Sequence, residues 1–220
     1  MGKDLIRIKN VAKYIKPYKK IADVGCDHGY LIVEAFENYN IDYAIAIDNK
    51  SKPLERCNYN LKEKPYYSHV RFSLSSGIND IDSDTEVIIM AGMGGLLIKD
   101  LLEENLDKLK NVKRIVIQAN KDNYEVRKFL TTHGFKINRE CVCLEDKKYY
   151  QVISFDKTEE IIKEYNDVEL EFGPININRK SLVFKNYISS LLKKLNLIPF
   201  ENEKIKNRKL ILKELLGNES

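Results

Sequence analysis

The segment ADVGCDHGYL, residues 22–31, puts two glycines and two aspartates between an apolar, β-branched run and a helical pattern. Lys20 to Val24 reads as a strand and Tyr30 to Asn38 as a helix. The loop between them therefore lies at the strand's carboxyl end, where open α/β sheets bind their ligands. Gly25 and Gly29 let backbone approach a ligand there. Their spacing is not the GxGxxG of a pyrophosphate-binding turn, which argues against NAD or FAD. Asp23, two residues ahead of Gly25, suits a ligand bearing an ammonium or a sulfonium better than one bearing a pyrophosphate.

Outward from this loop the pattern alternates. Strands are predicted at Tyr43 to Ile47, Val70 to Leu74, Glu86 to Met90 and Arg114 to Gln118, with helices at Pro53 to Lys62, Gly95 to Lys108 and Tyr124 to His133. Such βα alternation builds a mainly parallel sheet. Gly134 stops the last helix. Phe135 to Leu144 and Lys148 to Phe155 are joined only by Glu145-Asp146-Lys147, too short for a crossover helix, so they form an antiparallel hairpin. A parallel five-stranded sheet ended by such a hairpin resembles the strand plan of class I, Rossmann-like methyltransferases, a likeness of fold that fixes no chemistry by itself.

After Phe155 an acidic stretch leads through Phe172-Gly173-Pro174 into two apolar-striped segments, Arg179 to Asn196 and Glu201 to Leu216, with Pro199 between them and Gly217 after. So short a connection makes them antiparallel with a shared seam. The expected organisation is a Rossmann-like domain over residues 1–157 and a helical-hairpin, coiled-coil domain over 158–220. A length of 220 residues with 43% hydrophobic and 32% charged fits a globular α/β core plus a smaller appendage. The longest apolar run, Val87 to Ile98, is interrupted by glycines and too short to span a bilayer, and residues 1–10 carry no apolar stretch of signal-peptide type. A cytoplasmic location with no membrane partner is therefore expected. The cysteines at 26, 57, 141 and 143 make no CxxC pair and the histidines are scattered, so no metal is expected; Cys141 and Cys143 share a strand face. Charge gathers at the two ends: seven Lys or Arg against one Asp in residues 1–20, and ten against two Glu in residues 179–213. Between them, residues 156–171 hold seven acids against two Lys. The basic ends read either as a phosphate-binding surface or as the solvated helix faces of a lysine-rich chain.

Asp48 ends the second strand, where a carboxylate accepts both hydroxyls of a ribose. Ser76 and Gly77 follow the third strand, where methyltransferases often set an Asp or Asn against the adenine of the donor. The fourth strand runs into MAGMGGLLI, residues 90–98, in which Ala91, Gly92, Met93 and Gly94 would carry backbone donors and acceptors past the transferable methyl. Asp23, Gly25, Asp48, Ser76, Gly77 and this turn are thus the predicted contacts of an S-adenosyl-L-methionine cofactor. Asp27 stands where the general methyltransferase loop has a third glycine. A carboxylate so near the cofactor points to chemistry or substrate orientation; the plainer alternative is an N-cap for the helix that follows.

With DVGCDHGYL, AIAID, AGMGG, QAN and FGP in this order, the chain closely resembles the bacterial tRNA (adenine(22)-N1)-methyltransferase family over nearly its whole length. The resemblance implies a Rossmann-like domain that binds S-adenosylmethionine, a coiled-coil C-terminal domain that helps hold tRNA, and methyl transfer to N1 of adenine 22 in tRNA. Three positions depart from the usual family residues: Gln118-Ala119-Asn120 for Gln-Pro-Asn, Asp48 for Glu, and Ser76 for Asn. The expected catalytic residues are Asp27, His28, Tyr30 and Asn120. The carboxylate would stabilise charge or take a proton, and the others would stack on or hydrogen-bond an extruded base. A monomer is expected. Rival readings are a methyltransferase for another nucleobase or a small molecule, and an inactive Rossmann-like RNA-binding module. The absence of an Asn-Pro-Pro-Tyr-type motif after the fourth strand argues against exocyclic-amine chemistry. Retention of Asp23, Gly25, Asp48 and the glycine turn argues against the inactive module.

Overall fold

The computed structural model describes residues 5–200 and 202–217. Strands β1 (Lys20–Val24), β2 (Tyr43–Asp48), β3 (Val70–Leu74), β4 (Val87–Met93), β5 (Arg114–Ala119), β6 (Phe135–Glu145) and β7 (Lys148–Lys157) form one sheet in the order β3-β2-β1-β4-β5-β7-β6. The first five are parallel, and β7 runs antiparallel to both β5 and β6. The predicted strand plan is the observed one. Helices α2 (Tyr30–Tyr39), α3 (Ser51–Leu61), α4 (Gly95–Glu103) and α5 (Asn123–Thr132) make the crossovers. Helices cover both faces, so the central strands are apolar throughout instead of alternating. Ile88, Ile115 and Ile117 pack into one layer with Val126 and Leu130. Val87, Ile89 and Val116 pack into the other with Val11 and Ile32.

The chain leaves β1 toward β2 on one side, while β4 lies on the other side of β1. Their carboxyl ends therefore diverge at a topological switch point, which opens a crevice above β1 and β4. The β6–β7 hairpin turns through Asp146 and Lys147, both at positive φ (48° and 63°), the signature of a two-residue type I′ turn.

The structure departs from the sequence expectation in several places. A first helix, α1 (Ile6–Ala12), packs Ile8, Val11 and Ala12 into the core where only a basic segment was expected. β4 continues past Met90 to Met93 through a register shift between Ala91 and Met93. α4 stops at Glu103, because Asn105 turns its amide back onto the Leu101 carbonyl and the chain goes on as a 3₁₀ turn. The helical region at Arg179 breaks at Lys180, which sits at φ 45°, so that α7 (Pro174–Arg179) ends there and Ser181 caps α8 (Leu182–Asn196). Glu201, the expected start of the last helix, lies outside the described residues; α9 (Glu203–Leu216) is capped by the Asn202 side chain on Ile205 N.

Helices α8 and α9 form the expected hairpin, whose seam (Phe184, Ile188, Leu212, Leu215) packs with Phe172 against Val142 of β6. A short helix α6 (Asp167–Phe172) and α7 join it to the sheet around a fully buried ion pair. Arg127 donates to Glu140 (2.7 Å), to Gln151 (2.6 Å) and to the Leu170 carbonyl (2.8 Å), while Glu140 accepts from the Ile175 backbone (2.9 Å).

Candidate active site

The crevice at the switch point holds a cavity of about 780 Å³. One wall is the β1–α2 loop, with Asp23, Gly25, Asp27 and His28; another is Ala91, Gly92 and Met93 after β4. The far wall comes from segments the sequence had not pointed to, namely Arg7 of α1 and Glu145, Lys147 and Tyr150 of the β6–β7 hairpin. The sequence carries only a weak signal for them: Ile8, Val11, Ala12 and Ile15 follow helical spacing, and Glu145 falls in the short link between two strands.

Asp23 is 3% exposed at the end of β1. Burial, with the neighbouring Asp48 carboxylate acting the same way, pushes its pKa up to about 7. A desolvated carboxylate beside a second one is relieved by a bound cation. The α-ammonium of S-adenosyl-L-methionine meets that need, and a pyrophosphate does not. The Gly25 and Cys26 amides both donate to the Ile47 carbonyl (2.8 and 3.1 Å), which fixes this loop against the end of β2. Asp48 itself accepts from the Lys50 amide (3.0 Å), and the Ser75 amide donates to the Asp48 carbonyl (3.0 Å), so the ends of β2 and β3 are tied together. Asp48, Ser76 and Gly77 are not in the cavity's lining. Gly94 also lies just outside it, as the N-cap of α4.

Two glycines of the β4 turn have separate reasons. Gly92, at φ 82°, is the extra residue of the bulge, and its carbonyl leaves the ladder to accept from Asn120 Nδ2 (2.7 Å). Gly95 lies under the β5–α5 connection, where a Cβ would come within 2.4 Å of the Asp122 carbonyl oxygen. Asn120 also donates its own amide to the Met93 carbonyl (2.8 Å). Its side chain is therefore engaged in holding the turn, and it faces a second cleft of about 500 Å³ instead of the first. That cleft shares Lys147 and Tyr150 with the first and runs on between Tyr149 and Tyr187, Ser190 and Lys194 of α8.

Asp27 does not cap α2: Gly29 is the N-cap, with no side-chain bond. The Asp27 backbone is left-handed (φ 42°), which short acidic residues tolerate, and Arg56 of α3 donates to its carboxylate (3.0 Å). His28 Nε2 lies 3.8 Å from the same carboxylate. The His28 and Tyr30 rings stack with centroids 5.3 Å apart, and Tyr30 is 48% exposed at the cavity mouth. Asp27, His28 and Tyr30 are thus brought together at the rim, with Asn120 across the Gly92 turn.

Sheet order, a switch-point cavity and an acidic, cation-seeking β1 end define a Rossmann-like methyltransferase that uses S-adenosyl-L-methionine. The family described as tRNA (adenine(22)-N(1))-methyltransferase matches residues 21–218, and the chain belongs to it. The Bacillus subtilis (strain 168) tRNA (adenine(22)-N(1))-methyltransferase is 29% identical over 178 residues, 80% of this chain and 71% of that protein. Streptococcus pneumoniae Sp1610, crystallised in complex with S-adenosyl-L-methionine, superposes with a TM-score of 0.88 at 29% identity, covering 96% of this chain and 98% of its own. The crystal structure of the Bacillus subtilis m1A22 tRNA methyltransferase gives 0.81 at 25% identity, covering 96% and 97%.

Proposed function

We propose that the switch-point crevice carries out methyl transfer to N1 of adenine 22 in tRNA with Asp23, Gly25, Asp48, Ser76, Gly77 and Ala91 to Gly94 around the donor and with Asp27, His28, Tyr30 and Asn120 around the base. The observation that carries this assignment is the cavity lined by Asp23, Gly25, Asp27, His28, Tyr30 and Ala91 to Met93; Asp48, Ser76, Gly77, Gly94 and Asn120 are assigned from their places at the strand ends. Strand-end residues for a cationic donor line one side, and the half-buried His28 stacked on the exposed Tyr30, with a carboxylate, stands at its mouth. At about 780 Å³ it has room for a donor's reactive end and one base.

S-adenosyl-L-methionine supplies an electrophilic methyl group on a sulfonium. Adenine N1 already carries a lone pair at neutral pH, so the protein's task is alignment and electrostatics, not prior deprotonation. The N1–carbon bond forms as the carbon–sulfur bond breaks, and the adenine ring becomes cationic. Asp27, held by Arg56, places negative charge where that cation develops, and it can accept an N6 proton. N1 lies on the pairing edge, so the base must leave its helix to react; the His28–Tyr30 stack offers an aromatic surface to receive it.

Residues 1–157 form the catalytic unit on this reading, and 158–220 the unit that holds RNA. The cleft between Tyr149 and Tyr187 carries the nucleotides that flank the target, with Lys147, Lys148 and Lys194 for their phosphates. The enzyme acts as a monomer, without a metal, in the cytoplasm where tRNA is found. No helix of the described residues is long and apolar enough to cross a membrane. Replacing the target adenine of an otherwise unmodified tRNA by 1-deazaadenine should abolish methyl incorporation; undiminished incorporation would move the reaction off N1.

A further inference from the structure

Gln118 and Asn120 sit at the end of β5 beside the Gly92 bulge, and a residue distant from both in sequence fixes their orientation. Arg7, on α1, donates through Nη1 to Gln118 Oε1 (2.7 Å). Gln118 is buried and donates through Nε2 to Asn120 Oδ1 (3.2 Å), and Asn120 Nδ2 in turn donates to the Gly92 carbonyl (2.7 Å). A carboxamide has one acceptor end and one donor end. A guanidinium at Oε1 forbids the flipped amide, because flipping would set N–H against N–H. Arg7 thereby sets Gln118, Gln118 sets Asn120, and Asn120 sets the carbonyl that the bulge has released from the sheet. Arg7 is itself held: Glu145 accepts its backbone amide (3.0 Å) and lies 3.5 Å from Nε, and the Tyr150 ring lies 5.5 Å from the guanidinium carbon. Arg7 precedes the family match, which begins at residue 21.

We propose that Arg7 is a positioning residue for methyl transfer, acting through Gln118 and Asn120 on the Gly92 carbonyl in the cavity wall. The inference rests on the reading of the Gly92 turn as the wall beside the reacting methyl. Lysine cannot replace it, since a point charge does not address Glu145 and Gln118 together as the guanidinium fork does. A misplacement of about 1 Å near a reacting centre costs roughly 10²-fold in rate.

The test is single-turnover methylation at saturating donor and tRNA for Arg7→Ala, Arg7→Lys, Asn120→Ala and the Arg7→Ala/Asn120→Ala double variant, alongside calorimetric donor affinity and tRNA affinity over a salt series. Arg7→Ala should slow the step by roughly 30- to 100-fold with both affinities within about threefold of wild type, and Arg7→Lys should not restore it. In the Asn120→Ala background, removing Arg7 should cost nothing further, because the relay is already cut. Should Arg7→Ala fail to fold, Gln118→Leu cuts the same relay without touching α1 and carries the same expectation. Additive losses in the double variant would overturn the proposal. So would a loss confined to tRNA affinity with a salt slope lower by about one, which would make Arg7 a phosphate contact. Wild-type rates in both single variants would remove the Gly92 turn from the reaction, and with it the reading on which the relay rests.

Discussion

Lowering the pH from 7 to 5.5 should weaken S-adenosyl-L-methionine binding by roughly 16-fold, through Asp23 alone. Burial and Asp48 hold the Asp23 pKa near 7 in the free protein. About half of the molecules then carry the carboxylate at pH 7 and roughly 3% at pH 5.5, and the apparent affinity falls with that fraction. The donor's ammonium, with an ordinary α-amino pKa of about 7.7 to 8.0, stays cationic across the window, so the slope belongs to the protein. Stability of the free protein moves in the opposite sense. The folded pKa of Asp23 lies above the ordinary aspartate value of 3.8, so the folded state binds more protons than the unfolded chain between about pH 4 and 7, and this contribution falls as pH rises. Calorimetric titration of the donor at half-unit pH steps, with thermal unfolding of the free protein in the same buffers, separates the two effects. Asp23→Asn should flatten the affinity profile and weaken binding at pH 7 by roughly tenfold to a hundredfold, the worth of a charged hydrogen bond of about 1.5 to 3 kcal/mol. A wild-type affinity that changes less than threefold across the window, or a slope that survives in Asp23→Asn, would refute the placement of the ammonium on Asp23.

Other outcomes follow from the same structure. Asp27→Ala should bind donor and tRNA normally but slow single-turnover methylation by roughly 10²-fold or more, in the usual range for acid–base and charge-stabilising groups; a near wild-type rate would leave Asp27 as no more than the partner of Arg56. Arg127→Ala should lower unfolding stability by about 3 to 5 kcal/mol in a urea titration, since it leaves Glu140 buried without its cation. Neutralising Lys193, Lys194, Lys204 and Lys206, all exposed on the α8–α9 hairpin, should flatten the salt dependence of tRNA binding by a slope of about 3 while donor affinity is unchanged; an unaltered slope would relegate the hairpin to a stabilising cap.

Much of the fold was legible because its signals are local. The strand runs from Lys20, Tyr43, Val70 and Arg114 start where the sequence placed them, and the three-residue link after Leu144 allowed only a hairpin. The site was half legible for the same reason. Asp23, Gly25, Asp27 and Gly92 sit at or just past strand ends whose glycine spacing marks them, and they do line the cavity. The opposite wall was not legible: Arg7 meets Gln118 across 111 residues, and Glu145 receives Arg7 across 138, so no window of sequence holds either pair. Which charges are already paired is hidden for a related reason. Arg208 is counted among the basic residues of the hairpin but spends its charge on Glu171, and Arg127, deep in the core, reads in sequence like any exposed helix arginine. The Asp27 cap was a reasonable local reading that lost to a distant partner, Arg56.

Product mapping tests the reaction itself: incubate the purified protein with an unmodified tRNA transcript and isotopically labelled S-adenosyl-L-methionine, then locate the label by nuclease digestion and mass spectrometry. One labelled nucleoside, 1-methyladenosine, is expected at position 22, and it should be lost when that adenine is changed. No incorporation by folded, donor-binding protein, or label in any other nucleoside, would contradict methyl transfer to N1 of adenine 22.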